Sequence, residues 1–308
     1  MKKFLSWLAT LGILCTVFFY REQIFSYLLI KIIYPHEFVV YEPNQYYHGL
    51  DYKFVQETDD FTPENRQQLF NVFYTILNRG WESFSFVCDF SYKNCVTDIQ
   101  TILDEGTELS SLNNFVHPYN NYREIEIVVN NFGRVDVSID KLYSEEEIQA
   151  IDIEIDRIYD EIVSDSMSLK EKIKAVHDYI IDTTKYLREK EMDANGNLLF
   201  PLGTNKAYGP IFNHVASCGG YTDAMALFLY KMGVQNYKVS SVEHIWNLVY
   251  IDDTWKHLDL TWDDPITTTG EDVRTYNFFL ISTKELILKD VAEHDYNASI
   301  FMETKESS

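Results

Sequence analysis

Three short segments in the last third of the chain contain a cysteine, a histidine and an aspartate whose types and order suit acyl-transfer chemistry. Cys218 stands in Ser-Cys-Gly-Gly-Tyr, His244 in His-Ile-Trp-Asn, and Asp259 in His-Leu-Asp-Leu-Thr-Trp. A thiolate can attack a carbonyl carbon, an imidazole can move the proton, and a carboxylate can orient the imidazole. Together these residues predict a Cys-His-Asp catalytic triad.

The residues around Cys218 predict surroundings that favour its anion. Ser217 is a good N-cap, and residues 223–232 have the pattern of an apolar helix that stops at Gly233. Cys218 therefore falls in the first turn of a helix, where the dipole and the free backbone amides stabilise a negative charge. Taken by itself, Cys218 is also compatible with a small buried core residue, as most lone cysteines are.

His244 and Asp259 are predicted to lie in one β-hairpin. Residues 244–251 and 254–261 are strand-like, and Asp252-Asp253 between them fits a two-residue turn, although it is a weaker turn signal than Asn-Gly. The hairpin therefore brings the two segments side by side.

The register of this hairpin decides whether the two side chains meet. A two-residue turn pairs Trp246 with Asp259 and His244 with Thr261, so His244 and Asp259 become diagonal neighbours on one face. A slip of one residue would put them on opposite faces. Each residue alone also has a structural interpretation, as a hydrogen-bonded histidine or a capping aspartate.

Around these residues the chain resembles the bacterial branch of the transglutaminase-like superfamily of papain-like cysteine enzymes. The resemblance covers about residues 170–295. Its segments are Lys172–Ile180 (KIKAVHDYI), Ala207-Tyr208-Gly209, Cys218-Gly219-Gly220-Tyr221, His244-Ile245-Trp246-Asn247 and Asp259–Pro265 (DLTWDDP). It implies that Cys218 is the nucleophile, His244 the base and Asp259 the residue that orients the base. It also implies a core in which the nucleophile opens a helix packed on an antiparallel sheet.

Two positions depart from the family's pattern. Thr222 stands where the family usually has a small alanine or serine, and Leu260 stands where proline is common. Neither change removes a group of the predicted triad, so both bear on substrate fit.

The implied reaction is acyl transfer. The thiolate attacks a carboxamide or peptide carbonyl, the imidazolium protonates the leaving amine, and water or a second amine resolves the thioester. The backbone amide of Cys218 is a natural donor to the oxyanion. The chemistry calls for no metal and no organic cofactor.

Three aromatic residues are further candidates for the cleft. Tyr208, in the Ala-Tyr-Gly segment ahead of the nucleophile, is a candidate second oxyanion donor or substrate wall. Trp246 and Trp262 are candidates for an apolar cleft lining. Each of the three is equally compatible with an ordinary packed aromatic residue.

Three classes of function are compatible with these residues. The first is a cysteine peptidase or acyltransferase acting on protein or cell-wall peptide. The second is a protein cross-linker, which needs an acyl-acceptor site. No residue in the sequence indicates such a site, so hydrolysis is weakly favoured over transfer. The third is a non-catalytic binding or scaffold domain at the cell surface, because a fold alone does not prove an activity.

The predicted fold class is α+β, with a small domain over 36–142 and a transglutaminase-like domain over 143–308. Two capping boxes, Ser144 to Glu147 and Ser168 to Glu171, predict helices over about 144–164 and 168–186. The second helix lies within the segment that resembles the family, so the boundary between the two domains is predicted before this helix.

The smaller domain has its own predicted elements. They are a helix from Thr62-Pro63 to about Asn78, a strand over 82–90, a helix near 96–104, and a hairpin of strands 123–129 and 134–140. This order of helices and antiparallel strands is typical of a small α+β domain.

The amino-terminal residues 1–35 predict a membrane anchor and its flank. Lys2 and Lys3 precede seventeen uncharged residues, 4–20, and no small-x-small cleavage site follows them. Seventeen helical residues span about 25 Å, the short end of a membrane span, and a second apolar stretch over 24–34 extends or flanks them. The basic residues would stay inside, which places a single-pass protein with its bulk outside the cytoplasm. A secreted, cleaved protein is the alternative, and a buried soluble helix is less favoured.

The charge and the cysteines agree with an extracytoplasmic domain. The net charge of −22 and the lack of a basic stripe argue against nucleic acid as a partner. The resemblance implies a protein or peptide substrate, and the membrane is reached through the predicted anchor. Cys88 and Cys95 flank a turn, so a disulfide between them is slightly favoured over two buried thiols. No residue cluster predicts a metal site.

Overall fold

The computed structural model describes residues 2–21, 24, 28, 40–88, 91–130, 133–187, 203–265 and 273–307. The chain divides into two compact units of mixed helix and sheet, as the α+β class requires. The first comprises Met1–Asp51, Val55–Leu109 and Tyr122–Asp140, and the second comprises Tyr52–Phe54, Ser110–Asn121 and Lys141–Ser308.

The chain opens with helix α1, Lys2–Phe19. Within the part of the chain that the structure describes, no helix has the length and apolar character needed to cross a bilayer. Most of the second apolar stretch, 24–34, lies outside the described residues. The anchor over residues 1–35 stays a prediction.

The first unit contains the elements predicted for the smaller domain. They are α2 (Arg66–Asn78), β1 (Ser83–Val87), α3 (Cys95–Glu105), α4 (Thr107–Ser111), β2 (Tyr122–Val129) and β3 (Arg134–Lys141). The strands form one sheet in the order β1-β3-β2, with β1 antiparallel to β3. Asn65 starts α2 by accepting a hydrogen bond from the Gln68 amide, and the ring of Phe73 on that helix packs on Phe86 of the sheet. Cys88 and Cys95 form a disulfide, with their Cα atoms 5.8 Å apart.

The division of the chain differs from the predicted one at residues 110–121. Sequence reasoning placed this segment in the smaller domain, whereas it belongs to the second unit. The reason is burial of aromatic rings: Phe115 stacks on Tyr237 and Phe301, at centroid distances of 5.1 and 5.7 Å. Such pairs join residues far apart in sequence, so no local sequence pattern predicts them.

The second unit holds the predicted triad residues. Its elements are α5 (Glu145–Ile162), α6 (Leu169–Thr183), β4 (Lys185–Tyr186), a π-helical turn (Gly209–Asn213), β5 (Val215–Ala216), α7 (Cys218–Lys231), β6 (Asn236–Ser240), β7 (Ile245–Ile251), β8 (Thr254–Leu258), α8 (Leu260–Asp263) and α9 (Thr283–Leu288). Ser144 and Ser168 open α5 and α6 through complete capping boxes, as predicted. Helix α7 packs on the antiparallel sheet β6-β7-β8.

The hairpin β7–β8 has the predicted register over most of its length. Asp252 and Asp253 form the turn with φ of 53° and 58°, and Ile251 pairs with Thr254. Two positive φ angles in a row define a turn whose twist suits a hairpin, and Asp tolerates them. The last two predicted pairs, Trp246 with Asp259 and His244 with Thr261, are wrong, because β8 stops at Leu258 and the chain turns into α8.

Candidate active site

Cys218 is the first residue of helix α7, where the sequence places it. The backbone of Ser217 has the extended conformation of an N-cap, with φ −90° and ψ 178°. Its hydroxyl, however, makes no capping hydrogen bond and instead donates to the Thr204 carbonyl at 3.3 Å. The amide of Cys218 has no acceptor inside its own helix, as for every first-turn amide. It is therefore suited to receive a negative charge beside the thiol.

Two glycines after Cys218 let another backbone segment approach this first turn. A Cβ on Gly219 would lie 2.8 Å from the carbonyl oxygen of Asn205, and one on Gly220 would lie 2.4 Å from that of Thr204. Real Cβ atoms do not come so close to backbone oxygens. The Cys-Gly-Gly sequence thus allows the loop containing Thr204 to pack directly on the helix end that carries the thiol.

His244 and Asp259 come together as predicted, although the route differs. The Nε2 atom of His244 lies 2.7 Å from Oδ2 of Asp259. Asp259 is the N-cap of α8, where its Oδ1 accepts a hydrogen bond from the Trp262 amide at 3.2 Å. The capping interaction engages Oδ1, so the aspartate presents its other oxygen, Oδ2, to the histidine from a helix start instead of a strand.

The electrostatics of His244 favour its protonated form. Burial opposes protonation, but the charge and hydrogen bond of Asp259, together with a hydrogen bond to Cys218, outweigh it and raise the pKa of His244 to about 10. Nε2 is bonded to Asp259, so Nδ1 is the ring nitrogen left for the thiol. Cys218 itself is partly exposed.

Asp259 is a buried carboxylate that stays ionised. It is 1% exposed, and burial alone would raise its pKa. The charge of His244 and hydrogen bonds from His244 and His294 instead lower the pKa of Asp259 to about 2. His294 was missed by sequence reasoning, since it lies 35 residues after Asp259 in a 3-10 turn, Ala292–His294, with no motif around it.

Thr222, one of the two departures from the family pattern, ties the nucleophile to the base. Its hydroxyl lies 2.8 Å from the carbonyl oxygen of Cys218 and 2.9 Å from that of Ile245. Its own carbonyl accepts a hydrogen bond from Nδ2 of Asn247 at 3.0 Å. An alanine could not make the hydroxyl contacts, so the hydroxyl of Thr222 adds a link between α7 and β7 that an alanine would lack.

A buried polar network supports the loop ahead of the nucleophile. The hydroxyl of Tyr143 donates to Asp223 at 2.8 Å and accepts from the Ala207 amide, also at 2.8 Å. Lys238 donates to the other oxygen of Asp223 at 2.9 Å. Burial and the charge of Asp223 hold the pKa of Tyr143 well above its ordinary value. The phenol therefore remains a neutral bridge between α7 and the 203–209 loop.

The three aromatic candidates have different surroundings. Trp246 is 1% exposed, stacks on His244 at 5.6 Å, and donates from Nε1 to His257 at 2.9 Å. It corresponds to the core alternative, and the cleft-wall interpretation is wrong for it because the ring is enclosed. Trp262 is half-buried, and half-buried Tyr208 packs on Phe212 at 4.7 Å, so the proposed cleft roles of these two stay predictions.

Tyr186 is a residue near the thiol that sequence reasoning missed. Strand β4 pairs in parallel with β5, which places Tyr186 opposite Ala216, two residues before Cys218. Burial raises the pKa of Tyr186, and the nearby negative charge of Cys218 adds to this effect. The two-residue strands are too short to carry a periodic signal, so the pairing could not be anticipated.

His244, Asp259 and His294 could also be considered as metal ligands. One potential ligand atom from each lies within 4.8 Å of the others. Each histidine, however, is 2.7 or 2.8 Å from the same carboxylate oxygen, whereas two ligands of a tetrahedral zinc lie about 3.3 Å apart. The distances are those of hydrogen bonds, which explain the cluster as it stands.

The chain was compared with known proteins. No protein-family model matches it, and no curated protein matches it. Among solved structures it is similar to a transglutaminase, with 18% identity, a TM-score of 0.34, and coverage of 51% of this chain and 48% of that one. It is also similar to a candidate cysteine protease from Cytophaga hutchinsonii, with 12% identity, a TM-score of 0.27, and coverage of 49% and 65%. The chain thus spans about half and about two thirds of these two proteins.

Proposed function

We propose that this protein is a cysteine acyl-transfer enzyme of the transglutaminase-like class, acting on peptide or amide bonds of a protein or cell-wall peptide. The observation that carries the proposal is the chain of contacts at one helix start. Cys218 opens α7, its electrostatic interaction with His244 favours the protonated imidazole, and Asp259 Oδ2 lies 2.7 Å from Nε2 of that imidazole. Each group has the partner that its role needs.

The proposed reaction has two halves. The thiolate of Cys218 attacks the carbonyl carbon, and the resulting oxyanion is stabilised by backbone amides at the start of α7. As the intermediate collapses, Nδ1–H of His244 protonates the leaving ammonia or amine and a thioester remains. Neutral His244 then takes a proton from the incoming water or amine, which attacks the thioester, and the thiolate returns. Asp259 keeps Nε2–H of the imidazole throughout.

Hydrolysis is the form of the reaction that we favour over cross-linking, because water needs no dedicated second site. The two outcomes can be separated with one glutamine-containing peptide and a labelled primary amine. Hydrolysis gives ammonia and a glutamate product without label. Incorporation of the amine in preference to water would instead identify a cross-linking enzyme.

We further propose that the protein acts outside the cytoplasm, attached through its amino-terminal residues. The disulfide between Cys88 and Cys95 supports this location, since such bonds persist on the oxidising side of a membrane. The full-length protein should sediment with membranes. Protease should degrade it when added to cells whose outer layers have been removed and whose cytoplasmic membrane is intact. Protection from the protease, or four reduced cysteines in the native protein, would contradict the proposed location.

The test of the proposed activity is the rate of Cys218 alkylation by iodoacetamide between pH 5 and 9. It is made in a Cys15→Ser background, because Cys15 is a second free thiol and is exposed. Near pH 6 the native thiol should react at least about tenfold faster than the same thiol in denatured protein, because an ion pair with His244 supplies thiolate. His244→Ala should remove this advantage, and His48→Ala, in the first unit, should keep it. Equal rates in native and denatured protein would rule out the ion pair.

A further inference from the structure

We propose that His294 is a positioning residue for this site, holding the Asp259 carboxylate in the orientation that His244 needs. The inference rests on the proposed function, and it adds a fourth residue to the Cys-His-Asp set. The contact that motivates it is direct: Nε2 of His294 lies 2.8 Å from Oδ2 of Asp259, the same oxygen that His244 uses.

The side chain of His294 makes one hydrogen bond among the described residues, from Nε2 to Asp259. Asp259 Oδ2 can only accept, so the proton of a neutral His294 must be on Nε2. Nδ1 of His294 is buried and has no hydrogen-bond partner among the described residues. Among the described residues, Asp259 is therefore the side chain whose hydrogen bond sets the tautomer of this imidazole.

Packing alone does not account for a histidine here. The ring is 6% exposed and is surrounded by aromatic rings, with Trp246, Phe278 and Trp262 at centroid distances of 4.9, 5.0 and 5.6 Å. A phenylalanine or leucine would fill such a place without leaving a buried nitrogen unsatisfied, which is costly. The imidazole is explained if its N–H is needed by Asp259.

The carboxylate needs this donor because it is cut off from water. Asp259 receives three hydrogen bonds, from His244, from His294 and from the Trp262 amide. The Trp262 amide holds Oδ1 and His294 holds Oδ2, so the plane of the carboxylate is fixed at both oxygens before His244 is counted. Without His294, His244 would be the only donor described at Oδ2, and the carboxylate could rotate away from it or take up a proton.

The experiment compares Cys218 alkylation across pH 5 to 9 in the full chain, in the Cys15→Ser background, with His294→Phe and His294→Gln. His294→Phe keeps the aromatic packing and removes the donor, and it should slow alkylation near pH 6 by about tenfold, the size of one pKa unit. His294→Gln retains an N–H donor and should recover to within about threefold of the parent, as expected for a single neutral hydrogen bond with less favourable geometry. Recovery by the glutamine separates the hydrogen bond from the packing.

A double-mutant cycle with Asp259→Asn shows whether His294 acts through that carboxylate. In the Asp259→Asn background, His294→Phe should change the rate by less than about twofold, because the interaction it removes is already lost. A full tenfold effect in that background would assign His294 a packing role and overturn the proposal. If His294→Phe does not fold, His294→Leu, which also lacks an N–H donor, takes its place in both comparisons with the same expected results.

The remaining outcomes separate this inference from the proposed function. A parent thiol that reacts no faster in native than in denatured protein would overturn both. A fast parent thiol with rates unchanged or increased in His294→Phe would overturn the role of His294 and leave the proposed activity standing. One equivalent of zinc in protein purified without chelator, lost in His294→Phe, would make His294 a metal ligand and would also overturn the proposal.

Discussion

At the scale of single residues, the site depends on how one buried carboxylate is surrounded. Asp259 is 1% exposed, and its charge is offset by donors on both oxygens. A buried anion persists only when such donors replace its lost water. Its pKa is thereby held near 2, and that charge in turn raises the pKa of His244 to about 10. The two shifts favour a carboxylate beside an imidazolium, the state in which His244 can pair with a thiolate.

Asp259→Asn tests this arrangement. The amide removes the charge that keeps His244 protonated, so we expect turnover to fall by roughly 10⁴-fold, the size of the loss when a Ser-His-Asp triad has its aspartate replaced by asparagine. Alkylation of Cys218 in the Cys15→Ser background measures the same loss without a known substrate. Asp253→Asn is the matched control, because it makes the same chemical change in the turn of the same hairpin, at a position with φ of 58° that asparagine also adopts. Equal rates in the parent and Asp259→Asn would show that the carboxylate does not support the base.

Thr222→Val tests the hydroxyl link between α7 and β7. Valine keeps the shape of the side chain and loses the contacts to the Cys218 and Ile245 carbonyls, so we expect a loss of about 1 kcal/mol in the free energy of unfolding. We also expect slower Cys218 alkylation, because the spacing of nucleophile and base is no longer held at this point. Thr101→Val is the control, since Thr101 makes a similar bond to the Thr97 carbonyl one turn back in α3. Slower alkylation in both variants would point to a general effect of the substitution.

At the scale of elements, the start of α7 is defined by close approach of backbone to backbone. Gly219 and Gly220 have no side chain to keep the loop at Thr204 and Asn205 away, and Ser217 also bonds to Thr204. This loop carries the chain toward Ala207 and Tyr208, whose position is further held by Tyr143. The glycines therefore allow this loop to pack closely against the start of α7.

Gly220→Ala tests this packing. The added Cβ would lie 2.4 Å from the Thr204 carbonyl oxygen, so the loop must move, at an expected cost of about 1 to 3 kcal/mol in the free energy of unfolding. Urea unfolding measures the cost, and Cys218 alkylation shows whether the site is disturbed. Gly49→Ala is the control, because its nearest neighbour would be at an ordinary contact distance of 3.5 Å. An unchanged midpoint of urea unfolding in Gly220→Ala would mean that the loop moves without a cost in stability.

At the scale of the whole molecule, the site histidines make stability depend on pH in opposite senses. The folded state raises the pKa of His244 to about 10, so its contribution is complete below about pH 6.5 and is lost as the pH rises through 10. The folded state lowers the pKa of His257 to about 3, chiefly through burial. The contribution of His257 is therefore complete above about pH 6.5 and is lost as the pH falls through 3.

His244→Gln isolates the alkaline part of this dependence. Between pH 6.5 and 9.5 the parent should lose more free energy of unfolding than the variant. The expected difference is at least about 1 kcal/mol, somewhat less than the free energy that corresponds to a pKa shift of one unit. Urea unfolding at the two pH values measures the difference. His48→Gln is the control. Its free energy of unfolding should fall by as much as that of the parent between the two pH values, since both proteins have the net charge of −22 and the same charge repulsion. A decline in His244→Gln as steep as that of the parent would show that His244 is not held protonated by the fold.

Local sequence patterns predicted the features of this chain that depend on short-range interactions. Capping boxes at Ser144 and Ser168, the start of α7 at Cys218 and the turn at Asp252-Asp253 each depend on residues within a few positions, so local pattern predicted them. The tertiary structure decided where β8 stops, because Asp259 caps α8 while its amide bonds the Phe278 carbonyl. It also decided that His294 joins Asp259, that 110–121 packs in the second unit, and that Trp246 is enclosed. Those outcomes depend on contacts between residues far apart in the chain, which form only when the whole unit has folded, so no local spacing can encode them.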